Sequence, residues 1–338
     1  MPGKVAPGLS RRLLRRGVPR ELEGLMGELL ERLVRIDAAF GDLVLGADAP
    51  PGFATEHKLA PGVPRVRPLL LLLSAEVARK QSLGPTDPRR AEELAVVVEL
   101  LHLAIAVHDT ALGRQGGRRR RAARRLVGGA VGWLGGHHIT LRALEMTRNE
   151  GPEVLGDLLD ALREAAEGHA LTQSLQGRPA TASEAISHAE THTGVVFAFA
   201  CRAGARLSGA DPAVVGSLGR YGRHAGVAWH LAEDLSMLEQ DSEERLSLIA
   251  DRAASGRPML PVSLAAERDA AVGLLWTELT RSDDPAVVER LLKLLEGSGA
   301  MEEGRSQLVQ RSFRARRVLN SLPPSRYRQA LDELVLRM

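Results

Sequence analysis

Apolar residues recur at three- and four-residue intervals along nearly the whole chain, and alternating apolar–polar runs rich in Val, Ile and Thr are missing. That pattern predicts an all-α protein. Helices are expected over about 20–46, 66–81, 88–112, 126–148, 152–175, 183–208, 212–240, 243–254, 259–267, 284–296, 301–320 and 325–337. The breaks fall at Pro50-Pro51-Gly52, Gly84-Pro85-Thr86-Asp87-Pro88, 113–117, Gly209-Ala210-Asp211-Pro212, Gly256-Arg257-Pro258 and Pro323-Pro324. Several are helix stops followed by an Asp, Thr or Ser cap and a proline in the first turn. No break is long enough to demand a linker, so residues 19–338 are expected to form a single domain. Residues 1–18, basic and punctuated by Gly and Pro, are expected to be a mobile segment.

The stretch from Leu94 to Leu112 departs from simple amphipathicity. Positions 99, 102, 106 and 109 share one helix face, which carries Glu99, His102 and Asp109, while Leu94, Val97, Val98, Leu101 and Ile105 form the opposite stripe. Polar groups on one face of an otherwise apolar helix predict a pocket wall. The helix then opens into a loop with Arg118, Arg119, Arg120, Arg121, Arg124 and Arg125.

Composition narrows the function classes. The net charge is only +3, and lysine is confined to Lys4, Lys58, Lys80 and Lys293, so the basic residues are almost all arginine. Aromatic residues make up 3% of the chain, too few to offer stacking platforms beside a basic surface, which argues against nucleic-acid binding. No run of 18 uninterrupted apolar residues occurs, so no membrane span is expected, and at most the arginine loop would touch anionic headgroups. The N-terminus has no apolar block followed by a small-residue cleavage site. A single cysteine, Cys201, excludes an internal disulfide and fits a cytoplasmic location, with the thiol as a small buried hydrophobe.

Several segments share a further pattern. Val98-Glu99-Leu100-Leu101-His102 through Asp109-Thr110-Ala111-Leu112-Gly113 resembles the first aspartate-rich region of the trans-isoprenyl diphosphate synthases, the polyprenyl synthetase family, whose motif reads Asp-Asp-x-x-Asp. Gly226-Val227-Ala228-Trp229-His230-Leu231-Ala232-Glu233-Asp234-Leu235-Ser236-Met237 is similar to the family's Gly-x-Ala-Phe-Gln-x-x-Asp-Asp-x-x-Asp. Pro64-Arg65-Val66-Arg67-Pro68-Leu69-Leu70 resembles Lys-Arg-x-Arg-Pro-x-Leu, and Arg118 and Arg119 stand where the family places an Arg-Arg pair. Thr191-His192-Thr193-Gly194 falls at Lys-Thr-Gly, Gly256-Arg257-Pro258-Met259-Leu260-Pro261 at Gly-Lys-x-Thr-Leu-Pro, and Leu134-Gly135-Gly136-His137 at a region ending Gly-Asp. The resemblance runs from about residue 20 to the C-terminus.

The resemblance implies the isoprenoid-synthase helical bundle around a central apolar cavity, with prenyl diphosphates as substrates. Ionising a prenyl diphosphate raises the charge on the departing group, which metal ions and cationic side chains must hold. By the same resemblance Asp109, Glu233 and Asp234 would ligate Mg²⁺, and with six family aspartates reduced to these three carboxylates, fewer ions than an intact member holds. Arg65, Arg67, His102, Arg118, Arg119, His192, Thr193, His230 and Arg257 would bind diphosphate. Ala104 and Ile105, where bulky aromatics would close the product tunnel, imply room for a long prenyl chain. Pro64 and His192 in place of lysines bear on condensation with isopentenyl diphosphate.

Each residue also has an ordinary reading. Asp109 alone would be a solvated or hydrogen-bonded helix residue, His102 a satisfied core histidine, and Trp229 core packing. Histidines at 137, 192 and 230 invite a softer-metal site, but none shares a ligand spacing with another within its segment. The leading expectation is a divergent prenyltransferase-type enzyme of isoprenoid biosynthesis, a homodimer or a heterodimer with an intact family member. The alternatives are a non-catalytic regulatory subunit of an active prenyl diphosphate synthase and a terpene cyclase on the same fold.

Overall fold

The computed structural model describes residues 20–45, 65–79, 87–112, 130–240 and 243–337. The N-terminal segment 1–18, Pro64, Gly113 and the loop carrying Arg118 and Arg119 lie outside these residues. Among the described residues every regular element is helical. The first seven α-helices are α1 (Arg20–Leu45), α2 (Val66–Ala78), α3 (Pro88–Leu112), α4 (Ala130–Thr147), α5 (Pro152–Ser174), α6 (Ala182–Ala189) and, after a π-helical turn at Glu190–Gly194, α7 (Val195–Leu207). They are followed by α8 (Pro212–Glu239), α9 (Glu243–Ala254), α10 (Leu260–Ala266), α11 (Ala270–Leu279), α12 (Pro285–Glu296), α13 (Ala300–Leu319) and α14 (Arg326–Leu336).

Two apolar clusters organise the bundle. The larger is built from α1 to α5, α7, the first half of α8 and the chain's last helices, and the smaller from α6, the second half of α8 and α9 to α12. Helix α8 contributes to both, so it is the element through which the two halves share a site. Leu69 to Leu73 in α2 are all almost fully buried, each contributing roughly 1.5–3 kcal/mol of transfer free energy.

Helix α3 differs from the amphipathic picture. Leu94 to Leu101 are buried on every side, Glu99 included, so the helix runs through the core instead of lining a cleft along its whole length. Its length and composition would suffice to cross a membrane, yet 78% of its most apolar window is buried in the fold, which makes it a core helix. Ala104 and Ile105, the expected tunnel positions, are buried in the larger cluster.

Two elements were not anticipated. Helix α11 is short but regular: Val272, Trp276 and Leu279 turn inward at helical intervals, and Asp269 caps it by accepting from the Ala271 N–H. The run expected as one helix over 183–208 is interrupted by the π turn, which gives Glu190–Gly194 one extra residue of backbone. The reason lies in the neighbour: a Cβ on Gly226 of α8 would stand 2.8 Å from Gly194 Cα and 2.9 Å from Thr193 O, so the two backbones are in direct contact.

Candidate functional site

The last turns of α3 meet the middle of α5 and the π turn, and the π turn packs on the second half of α8. Asp109 is buried, and both its oxygens are taken: His169 Nδ1 of α5 lies 2.8 Å from Oδ1, and His192 Nε2 of the π turn 2.6 Å from Oδ2. Burial alone would raise the Asp109 pKa, but the charge of His192 and the hydrogen bonds from both rings hold the carboxyl well below its ordinary range. Each such charge-assisted bond contributes roughly 1.5–3 kcal/mol. His169 and His192 therefore come to the site as a pair fixed by one carboxylate.

A second set of rings lies alongside. His188 and His230 approach each other edge to face at 5.4 Å between centroids, and His192 stands 5.1 Å from His188 and 6.1 Å from His230. Thr172 donates its hydroxyl hydrogen to Gly168 O at 3.0 Å, so it must accept from His188 Nδ1 at 3.2 Å. His188 Nε2 is then a bare lone pair, buried and without a hydrogen-bond partner among the described residues. Thr193 Oγ1 meets His230 Nδ1 at 2.9 Å, and His230 Nε2 faces Asp234 Oδ2 at 3.9 Å, too far for a hydrogen bond, with no hydrogen-bond partner among the described residues. Burial, followed by neighbouring rings and the charges of Arg252 and Arg257, pushes both histidines well below their ordinary pKa, so both are neutral at pH 7.

On the far side, Asp234 is almost completely buried and forms an ion pair at 3.4 Å with Arg252 of α9. Burial pushes its carboxyl up to about 7, against the pull of Arg252 and the Leu260 backbone N–H. The folded protein thus holds this proton more tightly than the unfolded chain does. Stability is therefore greatest at low pH for this group, falls as pH rises from about 4 to about 7, and levels off above. A difference of about three units corresponds to on the order of 4 kcal/mol. Asp234→Asn is expected to flatten the urea midpoint across that window; an unchanged slope would show that Asp234 titrates as an ordinary carboxylate.

Glu233, one residue earlier, is about a hundred degrees round the helix and exposed. Met237 packs against the smaller apolar cluster. Arg257 enters on a loop that must carry glycine. Gly256 has φ +71°, and a Cβ there would lie 2.4 Å from Thr172 O. Arg257 Nε donates to Ser255 Oγ at 3.0 Å.

The other cationic residues gather elsewhere. Arg65 Nη1 and Arg67 Nε bind the two oxygens of buried Glu99 at 2.7 and 2.9 Å, and Arg65 also pairs with Asp37 and lies over the Phe40 ring. Glu99 is therefore the counter-charge of this arginine pair and not an open pocket wall. His102 is half-buried one turn further along α3. His137 is exposed and bonds the Trp133 carbonyl oxygen within its own helix, and Trp229 packs on the larger core. Cys201 is buried and its thiol pushed up to about 12 by burial, as expected of an inert hydrophobe.

The structure thus joins Asp109 to His192, and Thr193 to His230, and sets Asp234 beside them. It adds His169, His188, Thr172 and Arg252, which no motif had singled out. A mid-helix glycine, Gly168, was the available signal for α5: a Cβ there would meet Thr191 Oγ1 at 2.5 Å.

A Mg²⁺ cluster needs several carboxylate oxygens turned to a common point. Asp109 is bound through both oxygens to histidines, Asp234 is buried against Arg252, and Glu233 projects from a different side of α8. Among the described residues no three His, Cys, Asp or Glu side chains are arranged to hold a metal ion. This donor set does not fit a multi-ion cluster.

The polyprenyl synthetase family model matches residues 54–295. The all-trans-nonaprenyl-diphosphate synthase (geranyl-diphosphate specific) of Rhodobacter capsulatus is 28% identical over 286 residues, 83% of this chain and 86% of that protein. The octaprenyl diphosphate synthase of Escherichia coli is 26% identical over 275 residues, 80% of this chain and 83% of that protein. A polyprenyl synthase from Caulobacter crescentus CB15, solved with calcium and isoprenyl diphosphate, superposes with a TM-score of 0.74 at 26% identity, covering 99% of this chain and 98% of the other. With the family pattern spanning most of the sequence and the all-α isoprenoid-synthase fold shared along its length, the chain belongs to the polyprenyl synthetase family.

Proposed function

We propose that this chain is a divergent member of the family that binds and processes prenyl diphosphates. The observation that carries the reading is the end-to-end likeness to a polyprenyl synthase solved with isoprenyl diphosphate. In this reading an allylic diphosphate lies at the mouth beside His192, Thr193, His230 and Arg257; Arg118 and Arg119, which the resemblance assigns to the same ligand, lie outside the described residues. Arg65, Arg67 and His102 receive a second diphosphate, and the prenyl chain extends past Ala104 and Ile105. Residues 19–338 act as one domain, in a homodimer or paired with an intact family member. One observation favours the second reading, a non-catalytic subunit: Asp109 is held through both oxygens by His169 and His192.

The test is turnover of farnesyl and geranylgeranyl diphosphates, with and without isopentenyl diphosphate. Products that require isopentenyl diphosphate establish chain elongation, and products formed without it establish cyclisation. An inactive protein that shifts the product length of an intact prenyl diphosphate synthase on mixing establishes the subunit. Inactivity alone together with no effect on such a partner would overturn the functional reading.

A further inference from the structure

The departure of the site from a metal-binding set has a positive side. Asp109 is the most enclosed member of its triad, its side chain 5% exposed against 14% for His169 and 17% for His192. A ligand entering from solvent meets the two rings before it meets the carboxylate. Each ring has given one nitrogen to Asp109 and keeps a second. Whether that nitrogen carries a hydrogen or a lone pair, it has a partner in a phosphate group, which presents both bare oxygens and hydroxyls. Permanent positive charge stands on the other side: Arg252 pairs with Asp234 at 3.4 Å, Asp234 lies 3.9 Å from His230 Nε2, the His230 ring is 6.1 Å from that of His192, and Arg257 follows Gly256, which packs on the Thr172 carbonyl. Guanidinium groups bind phosphate oxygens through paired N–H donors.

We propose that this chain binds a diphosphate without divalent metal ions, through the His169–His192 pair and the arginines at 252 and 257, with Asp109 serving as the positioning residue that fixes the two rings. The proposal rests on the reading above that the ligand is a diphosphate, and concerns how it is held. It turns the two walls of the site from cation holders into direct donors, so that removing metal leaves the binding surface intact. The Nε2 atoms of His188 and His230 belong to the same ring cluster and have no hydrogen-bond partner among the described residues, the latter facing Asp234 Oδ2 at 3.9 Å.

The experiment is titration calorimetry of the full chain with inorganic pyrophosphate and with farnesyl thiodiphosphate, in Mg²⁺ and in excess EDTA. The expected result is binding whose dissociation constants in the two conditions agree within about threefold, and which weakens about tenfold or more in His192→Gln and in Arg252→Gln. The EDTA comparison needs only the unaltered protein, so it decides the matter even if a variant fails to fold. Binding that appears in Mg²⁺ and disappears in EDTA would overturn the proposal and leave the prenyl diphosphate reading standing. Metal-independent binding unaffected by either substitution, in variants with unaltered circular dichroism, would place the anion elsewhere and also overturn it. No binding of either probe in either condition would remove both the proposal and the reading on which it rests.

Discussion

Glu99→Ala is expected to destabilise the protein by about 3–5 kcal/mol, the cost of stripping the counter-charge from buried cations. Arg65 and Arg67 are both largely buried and both bond Glu99, and among the described residues only Arg65 has a further carboxylate, Asp37, which is half-exposed. Removing Glu99 would leave Arg67 without the partner that makes its burial tolerable. Burial by itself would raise the Glu99 pKa, yet the charges of Arg67 and Arg65 bring it below the ordinary value. The sign follows: its stabilisation is present above the unfolded glutamate pKa and is lost as pH falls through the lowered folded value. Urea unfolding at neutral pH measures the effect, and Glu99→Gln, which keeps an acceptor, should lose less. A loss below about 1 kcal/mol for the alanine variant would mean that the arginines find other partners.

Gly226→Ala is expected to cost about 2–3 kcal/mol and to weaken pyrophosphate binding, because a Cβ has nowhere to go. It would meet Gly194 Cα, Thr193 O and Phe197 Cβ at 2.8, 2.9 and 3.0 Å, two of them backbone atoms. An exposed helical glycine changed to alanine normally gains about 1 kcal/mol from propensity, so the clash must exceed that gain to give the predicted sign. Gly41 in α1, with nothing within 4 Å of its Cβ position, supplies the comparison, and Gly41→Ala should stabilise. The effect on binding follows from the contact itself. Pushing α8 off the π turn separates His230 from Thr193 and displaces His192 from Asp109. Thermal unfolding of the two variants, together with pyrophosphate titration, checks both halves.

The sequence was most readable where local rules decide. Helix ends at Pro88, Pro152, Pro212 and Pro285 coincide with proline in the first turn, and the expected spans of α3 and α9 match the observed ones residue for residue. Helix α11 went unread because Gly273 interrupts its apolar face, although the Asp269 cap and the spacing of Val272, Trp276 and Leu279 were there to be seen. The π turn could not be read from periodicity, since its cause is the contact between Gly194 and Gly226, which lie far apart in the chain. The same holds for the site. Motif resemblance located Asp109, His192, His230 and Asp234, but what each does depends on partners from other elements. His169 lies 60 residues from Asp109, and Arg252 reaches Asp234 from the next helix. Glu99 shows the converse error: on a helical wheel it shares a face with Asp109, but the fold encloses that part of the face and gives it to two arginines.

Asp109 is bonded through both oxygens to histidines, an arrangement that competes with metal binding. A crystal structure with Mn²⁺ and farnesyl thiodiphosphate tests it most directly, with anomalous scattering to locate the ion. His169 and His192 are expected to stay bonded to Asp109, as they are now at 2.8 and 2.6 Å, with the diphosphate against the rings and no manganese on that carboxylate. An anomalous peak at about 2.1 Å from an Asp109 oxygen, with either histidine turned away, would contradict it.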